Sequence, residues 1–349
     1  MSEKLFEGLE ALGGNVPTLA TPFLYGVAKG DVSGKSKLRI MGYNNDVDAA
    51  VEDLWTNGGT YVPPTAAMGM EIVSAAAADA GVVIKSGTSD SITCVSSTND
   101  SCIITLTDAA VDFLAATIVA AGDYVLLETD YAKAVVLTVA QHVLTMRSYD
   151  GADPTPAQPY RIVDDSAGGT GVNVVAIHYL DGDYAEAEEY VVLDGTTPAP
   201  TVAVDILRVN AIHTIFAGTG NAAAGQIDLR HLADTPIYRS IPIDFNSDSD
   251  GFYTVPSGKT LYISTWQIGS GTGSNNRACQ AWLRATADDH GYYTIGRWDT
   301  KGMALTQDST IFIPMLAPLK IPALADVKVS AKCQETNSKM STHFEGWLE

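Results

Sequence analysis

The residues best suited by type and spacing to chemistry are Asp244, Asn246, Asp248 and Asp250, which alternate along the chain and end at Gly251. Alternating carboxylate and amide oxygens ahead of a glycine form the first half of a calcium loop, since a hard cation needs several oxygens gathered around a sharp turn. The second half is absent, because the position that should carry a bidentate glutamate falls on Ser257. A solvated hairpin loop is expected here, with a weak calcium site as its alternative. Asp288-Asp289-His290 sets two carboxylates beside an imidazole, a composition suited to metal binding or proton transfer. Neighbouring residues of a strand point to opposite faces, however, and such a run between strands reads as a turn. Glu188-Glu189 is a charge pair at a strand edge, with no second carboxylate set across a cleft as glycoside hydrolysis requires. No Gly-x-Ser-x-Gly elbow, phosphate-binding loop or His-Glu-x-x-His occurs, and His142, His178, His213, His231 and His343 are scattered singly. Nothing in these residues supports an enzyme, a metal centre or a cofactor.

Aromatic residues offer a different chemistry. Trp266, Trp282, Tyr292, Tyr293 and Trp298 fall in one C-terminal segment, and aromatics on a β face stack on flat partners, sugar rings among them. Trp266, Trp282 and Trp298 are the candidates for glycan stacking. The competing expectation is a core role, because a β-sandwich needs large apolar side chains inside it.

Acidic residues outnumber basic ones by 41 to 21, giving a formal net charge of −20 over 349 residues. Binding to nucleic acid is not expected, since a grip on phosphates needs a basic stripe. The one basic concentration is Lys29, Lys35, Lys37 and Arg39, which reads as a solvated arm or as a patch for an acidic partner protein. No apolar stretch reaches membrane-spanning length and no signal peptide is visible, so membrane contact is not expected and synthesis in the cytosol is. The four cysteines, Cys94, Cys102, Cys279 and Cys333, form no Cys-x-x-Cys pair and have no histidine at ligand spacing. Cys94 and Cys102 flank a turn-like run and would face each other across a hairpin, but cytosolic synthesis favours free, buried thiols.

The elements that must position these residues are short strands. Valine, isoleucine, threonine and tyrosine fill the patterned segments, while 31 glycines and 15 prolines interrupt them. Ser2–Leu12 reads as a short amphipathic helix, with Leu5, Phe6, Leu9 and Leu12 at helical spacing. The stretch to Arg39 lacks a period and reads as an extended arm. In the segment from Asp46 to Pro64, Asp46 or Asp48 would cap a helical turn through Glu52 whose buried side is Val51 and Leu54. Gly58 and Gly59 would end that turn, and Trp55 would anchor it. Residues 75–81 are small and featureless, and the turn-rich run from Asp164 reads as a hinge. Strands are expected at Met70–Ser74, at several places between Val82 and Asp165, and then at Val172–Leu180, Tyr190–Leu193, Ile206–Phe216 and Ile227–Leu229. A further series, which includes Tyr292–Trp298, completes the C-terminal part.

The order Asp-x-Asp, Glu-Asp-Leu-Trp, Gly-Gly, aromatic, proline resembles a signature of tailed-phage virion structural proteins of the head-decoration and head-fibre-like kind. The segments GVNVVAIHYLDGDY, EEYVVLDGTTP and ILRVNAIHTIFAGTGNAAAGQIDLR continue that likeness from Gly171 to Arg230, and YTVPSGKTLYISTWQ and PLKIPALADVKVSAK extend it. The resemblance implies a non-enzymatic virion protein that decorates or projects from the capsid and adds to capsid stability or host-surface contact. Its partners would be the major capsid protein or other virion proteins, and it would self-associate as a homo-oligomer, by the habit of such proteins a trimer. A tail or baseplate component and a carbohydrate-binding host-attachment protein are the alternatives. The expected fold is all-β, with several small β-sandwich or barrel domains, a short N-terminal helix and an extended arm. Residues 1–40 would form that helix and arm, 41–81 with 166–233 a discontinuous β domain, 82–165 an inserted barrel-like module, and 236–349 a sandwich or jelly roll.

Overall fold

A computed structural model of the chain describes residues 23–349 apart from 29, 31, 99–100, 116–118, 149–153, 167, 272–277, 289, 291, 295 and 335–336. The helix expected over Ser2–Leu12 lies outside them. The fold is all-β: its strands form five sheets, and the six-residue segment Phe23–Ala28 is helical. The chain divides into two compact units, one of Met1–Pro63, Asp183–Glu186 and Ser249–Glu349, the other of Pro64–Gly182 and Ala187–Asp248.

The first unit is a two-sheet sandwich. One sheet runs in the order Ser36–Val47, Ser338–Leu348, Leu261–Gly271, Thr310–Ile321. The other runs Phe252–Thr254, Asp326–Cys333, Ala278–Ala285, Asp299–Gln307, with Glu52–Asp53 also paired to Asp326–Cys333. Alternation explains the layers. Cys279, Ala281, Leu283 and Ala285 enter one core with Val327, Val329 and Ala331, and from the facing sheet come Leu261, Ile263, Trp266, Ile268 and Phe344. Pro314 lies on Thr310–Ile321, which pairs only with Leu261–Gly271 and is therefore an edge strand, where a missing N–H is tolerated.

Of the basic run, Lys35, Lys37 and Arg39 do not belong to an arm, and Lys29 lies outside the described residues. Ser36–Val47 is a twelve-residue strand paired with the C-terminal strand, from Ser36 opposite Leu348 to Val47 opposite Ser338. Leu38 and Ile40 pack against the core, whereas Lys37 and Arg39 reach Glu345 at 3.8 and 3.6 Å and Lys35 reaches Glu349 at 2.8 Å. Basic residues on one face alternate with apolar ones on the other, a period of two that prolines and glycines upstream obscure. A second correction concerns Tyr292–Trp298, whose described residues lie in no named strand; the strand is the next segment, Asp299–Gln307.

The second unit holds three sheets. Seven strands between Val83 and Val163 form one, in the order Val83–Thr88, Pro159–Val163, Tyr124–Leu127, Ala132–Val139, Val143–Ser148, Ser101–Thr107, Ser91–Thr98. Phe113, Tyr160, Ile104 and Leu144 are among its core residues. Val172–Leu180 is flanked by Glu186–Val192 and Arg208–Ala217 in a three-stranded sheet. It shares a core with the four-stranded sheet Ala199–Pro200, Met70–Ser74, Ile227–His231, Ile237–Ile241. Its opposite face meets the seven-stranded sheet, where Tyr124 stacks on Phe216 at 3.9 Å and Arg161 bridges from Glu128 to the Tyr190 carbonyl. The expected boundary at residues 233–236 is instead a hairpin turn, since Ile237–Ile241 pairs with Ile227–His231. At the hairpin from Val172–Leu180 to Glu186–Val192, positive φ falls on Tyr184 (61°).

The cysteines are also corrected. Cys94 bonds to Cys102, and Cys279 bonds to Cys333, its direct cross-strand neighbour. Strand pairing in both cases brings the sulfurs together whatever compartment the chain is made in.

Candidate functional site

The Trp55 segment forms no helix. Glu52–Asp53 pairs with Ala331 and Ser330 of the neighbouring strand, so the expected helical turn is a strand followed by a tight loop. Two carboxylates shape that loop. Glu52 Oε2 accepts from the Gly59 N–H at 3.1 Å and from Asn44 Nδ2 at 3.1 Å. Asp53, buried, accepts from the Tyr61 N–H at 2.7 Å, Ser330 Oγ at 2.7 Å and Lys328 Nζ at 2.8 Å. Gly58 and Gly59 lie at φ 65° and 67°, a region costly for any residue with a Cβ. The Trp55 indole N–H donates to the Gly58 carbonyl, and its ring lies 5.6 Å from Tyr61, which stacks on Phe252 at 3.6 Å. Val51 is exposed, in contrast to Leu54, which is buried.

The three tryptophans considered for glycan stacking have different fates. Trp266 is fully buried and donates to Thr342 Oγ1 at 2.9 Å, so the stacking expectation fails there. Trp298 lies under the Lys328 ammonium at 4.5 Å and closes over the Asp53–Lys328 pair. Trp282 is half-buried on the outer face of its sheet, flanked by the Arg284 guanidinium at 5.1 Å and Lys332 Nζ at 5.8 Å. Its cross-strand neighbour Met303 and the nearby Leu305 are exposed. A cavity of about 350 Å³ opens beside this face, lined by Ala49, Gln280, Leu305, Lys332, Gln334 and the Cys279–Cys333 bridge. Sequence places Trp282 among the candidates but not Met303 and Leu305, because the aromatic-rich Tyr292–Trp298 reads as the strand and the true one, Asp299–Gln307, follows it.

The calcium-loop residues have separate partners. Asp248 pairs with the buried Arg239 at 3.0 Å, Asn246 donates to the Asn221 carbonyl at 2.8 Å, and Asp244 is exposed at φ 67°. Asp250, buried, accepts from the Thr56 N–H at 3.0 Å. Asp288 Oδ1 accepts from the His290 and Tyr292 N–H groups at 2.8 and 2.9 Å, and the Tyr292 bond leads in holding its pKa below the ordinary carboxylate value. A cavity of about 430 Å³ is lined by Asp288, His290, Arg297, Asp299 and Thr300. Glu189 accepts from the Val202 and Ala203 N–H groups at 2.6 and 2.9 Å, which leaves Glu188 facing His178.

Among the described residues, Asp123, Asp164 and Asp165 bring three carboxylates within 4.8 Å of one another. Burial, chiefly, raises the Asp123 pKa, although the Ala120 and Asp165 N–H groups donate to its two oxygens at 2.7 and 3.3 Å. Those backbone bonds account for the buried carboxylate without an ion.

Sequence reasoning missed Asp79 altogether. Its carboxylate, with no exposure, accepts four hydrogen bonds: from Val172 N and Ala224 N at 2.7 and 3.0 Å, and from Ser74 Oγ and Gly225 N at 2.6 and 3.0 Å. Three small-residue segments thereby meet backbone to backbone. A Cβ on Gly169 would stand 2.0 Å from the Ala78 carbonyl oxygen, and one on Gly218 would stand 2.2 Å from that of Gly169. The run expected to be a hinge is thus one of three loops locked on a single carboxylate. The available signal was the repeated pairing of glycine with alanine, since only small side chains let backbones approach so closely.

The fold and these contacts define an all-β protein whose most distinctive polar residues organise its loops. Comparison with protein-family models, with curated proteins and with solved structures finds no match for this chain.

Proposed function

We propose that this chain is a non-enzymatic structural component of a tailed-phage virion that binds the outside of the capsid as a decoration or head-fibre-like protein. The observation that carries the reading is the fate of the segment bearing the resemblance: Glu52, Asp53, Trp55, Gly58 and Gly59 are all spent on building one rigid loop. A signature whose residues shape surface and stability, with none left over for catalysis, suits a protein that works by presenting faces to partners. The outer sheet face around Trp282, Met303 and Leu305 offers aromatic and apolar area beside cations, the composition that dominates binding energy in protein interfaces. Capsid geometry then multiplies weak contacts through effective concentration.

Mixing tests this. Purified protein added to capsids lacking it should bind saturably, at a copy number set by capsid symmetry and counted after sedimentation. Binding to tails alone would favour the tail or baseplate alternative, and binding to neither would overturn the proposal. A carbohydrate-binding role keeps one observation in its favour, the half-buried Trp282 beside an open cavity. A glycan array with Trp282→Ala tests it; Trp266 has no part in it.

A further inference from the structure

His178 and His213, scattered singles in the sequence, meet on one face of the three-stranded sheet. His178 lies on Val172–Leu180 and His213 on the adjacent Arg208–Ala217, offset by the pairing of Ala176 with His213 and of His178 with Ala211. That diagonal brings the rings to 4.8 Å between centroids at an interplanar angle of 13°, with His178 Nε2 3.2 Å from His213 Nδ1. On the third strand, Glu188 Oε2 stands 3.6 Å from the other nitrogen of His178, Nδ1. Both imidazoles are half-buried, so solvent and solutes reach them.

We propose that His178 Nε2 and His213 Nδ1 form a binding site for a divalent transition-metal ion of the zinc, nickel or copper class, with Glu188 as the outer partner that orients His178. Two imidazole nitrogens bound to one tetrahedral zinc at about 2.0–2.1 Å stand roughly 3.3 Å apart. The observed 3.2 Å needs the rings to turn, not to travel. A carboxylate beside the non-ligating nitrogen is the usual companion of a metal-bound histidine, because it fixes the tautomer and raises the basicity of the ligating nitrogen. Here Glu188 favours the proton on His178 Nδ1 and frees the Nε2 lone pair. His213 must present a lone pair at Nδ1, so its own proton moves to Nε2 on binding and both rings stay neutral. Lys133 opposes a cation and Glu188 favours one. With two protein ligands the remaining coordination positions belong to water, which predicts an exchangeable site and not a structural centre of the four-ligand kind.

Isothermal titration of the untagged protein with zinc chloride and with nickel chloride tests the site. One equivalent should bind, His178→Gln and His213→Gln should each weaken that binding at least tenfold, and Glu188→Gln should weaken it about tenfold. Binding unchanged in His213→Gln, or no binding to the wild type, would overturn the proposal. A second measurement needs no variant: substoichiometric copper(II) should broaden the ring proton resonances of His178 and His213 before those of His142, His231 or His343. Broadening that begins at any of the latter would place the ion elsewhere and refute the assignment.

Discussion

Replacing Asp79 with Asn keeps the side-chain volume while turning one acceptor oxygen into a donor, at a position with no exposure and four donors around it. Either orientation of the amide has a cost. With its NH₂ toward Ser74 and Gly225, the hydroxyl can reverse and accept, but the Gly225 N–H then faces a donor. With its NH₂ the other way, the Val172 and Ala224 N–H groups are both orphaned. The first arrangement costs less. One buried orphan N–H costs about 1–3 kcal/mol, and weakening the two remaining bonds from charged to neutral acceptors adds about 1 kcal/mol. A loss of about 3 kcal/mol follows, and Asp79→Ala, which strands three backbone N–H groups, should lose more. All five tryptophans lie outside this unit, so their fluorescence does not report on it. Amide hydrogen exchange does. Protection at Val172, Ala224 and Gly225 should fall roughly a hundredfold, by the rule of about 1.4 kcal/mol per factor of ten. Exposed Asp194 is the control, and Asp194→Asn should change nothing of that size. Unaltered protection in Asp79→Asn would refute the claim that one carboxylate holds the three loops.

Other predictions concern pH, disulfides and the aromatics. Because the folded-state pKa of His213 lies near 4, below the ordinary 6.5, the unfolded chain binds the extra proton. Its contribution is whole above pH 6.5 and lost as pH falls toward 4, by on the order of 2–3 kcal/mol after allowing for partial solvent access. The metal-free His213→Gln protein should show a flatter decline over that interval, and parallel curves would refute this. Removing Cys279–Cys333, which spans 54 residues, should cost about 4 kcal/mol against about 2.5 kcal/mol for Cys94–Cys102 with its separation of 8, as paired Cys→Ala variants measured by urea unfolding would show. Trp266→Ala should destabilise the sandwich by about 3–5 kcal/mol, whereas Trp282→Ala should cost much less in thermal melts yet weaken capsid binding.

Strands were the most legible feature of the sequence, because alternation is local. Met70–Ser74 and Val172–Leu180 are read directly from their apolar runs. Pairing was less legible. Nothing near Ser36 says that its partner is Leu348, and a strand that begins among glycines and lysines looks like an arm until the partner supplies its second side. The Trp55 segment failed for a related reason: Asp and Glu at helix-capping spacing serve equally well as acceptors for a loop, and only Lys328 and Ser330, far along the chain, decide between the two. The histidine pair was hidden because only the register between two strands far apart in sequence, Ala176 opposite His213 and His178 opposite Ala211, makes the two residues diagonal neighbours.

Pairing between the chain's two ends also governs how any truncation must be read. Removing residues 1–35 leaves every described strand whole, but it takes the helix Phe23–Ala28 with its Phe23–Trp347 ring contact at 4.9 Å, the buried Val27 and Val32, and the Lys35–Glu349 pair, in which Glu349 is half exposed and so contributes little. Removing residues 1–40 also takes Ser36–Ile40, and with it the core contacts of Leu38 and Ile40 and the pairing of Phe344–Leu348 along that edge. Two partly buried aliphatic side chains are together worth about 2–4 kcal/mol, and the newly bare edge invites association with other strands. The shorter truncation should therefore melt below the full chain, because it exposes the surface that Val27, Val32 and Phe23 cover, while the longer one melts earlier still and tends to aggregate. Loss of capsid binding in the shorter variant, assayed below its melt, would be a true property of the N-terminal residues; loss that appears only in the longer one would reflect a damaged sandwich. Equal melting of the two would mean that Ser36–Ile40 adds nothing to the sheet, and the strand assignment itself would have to be abandoned.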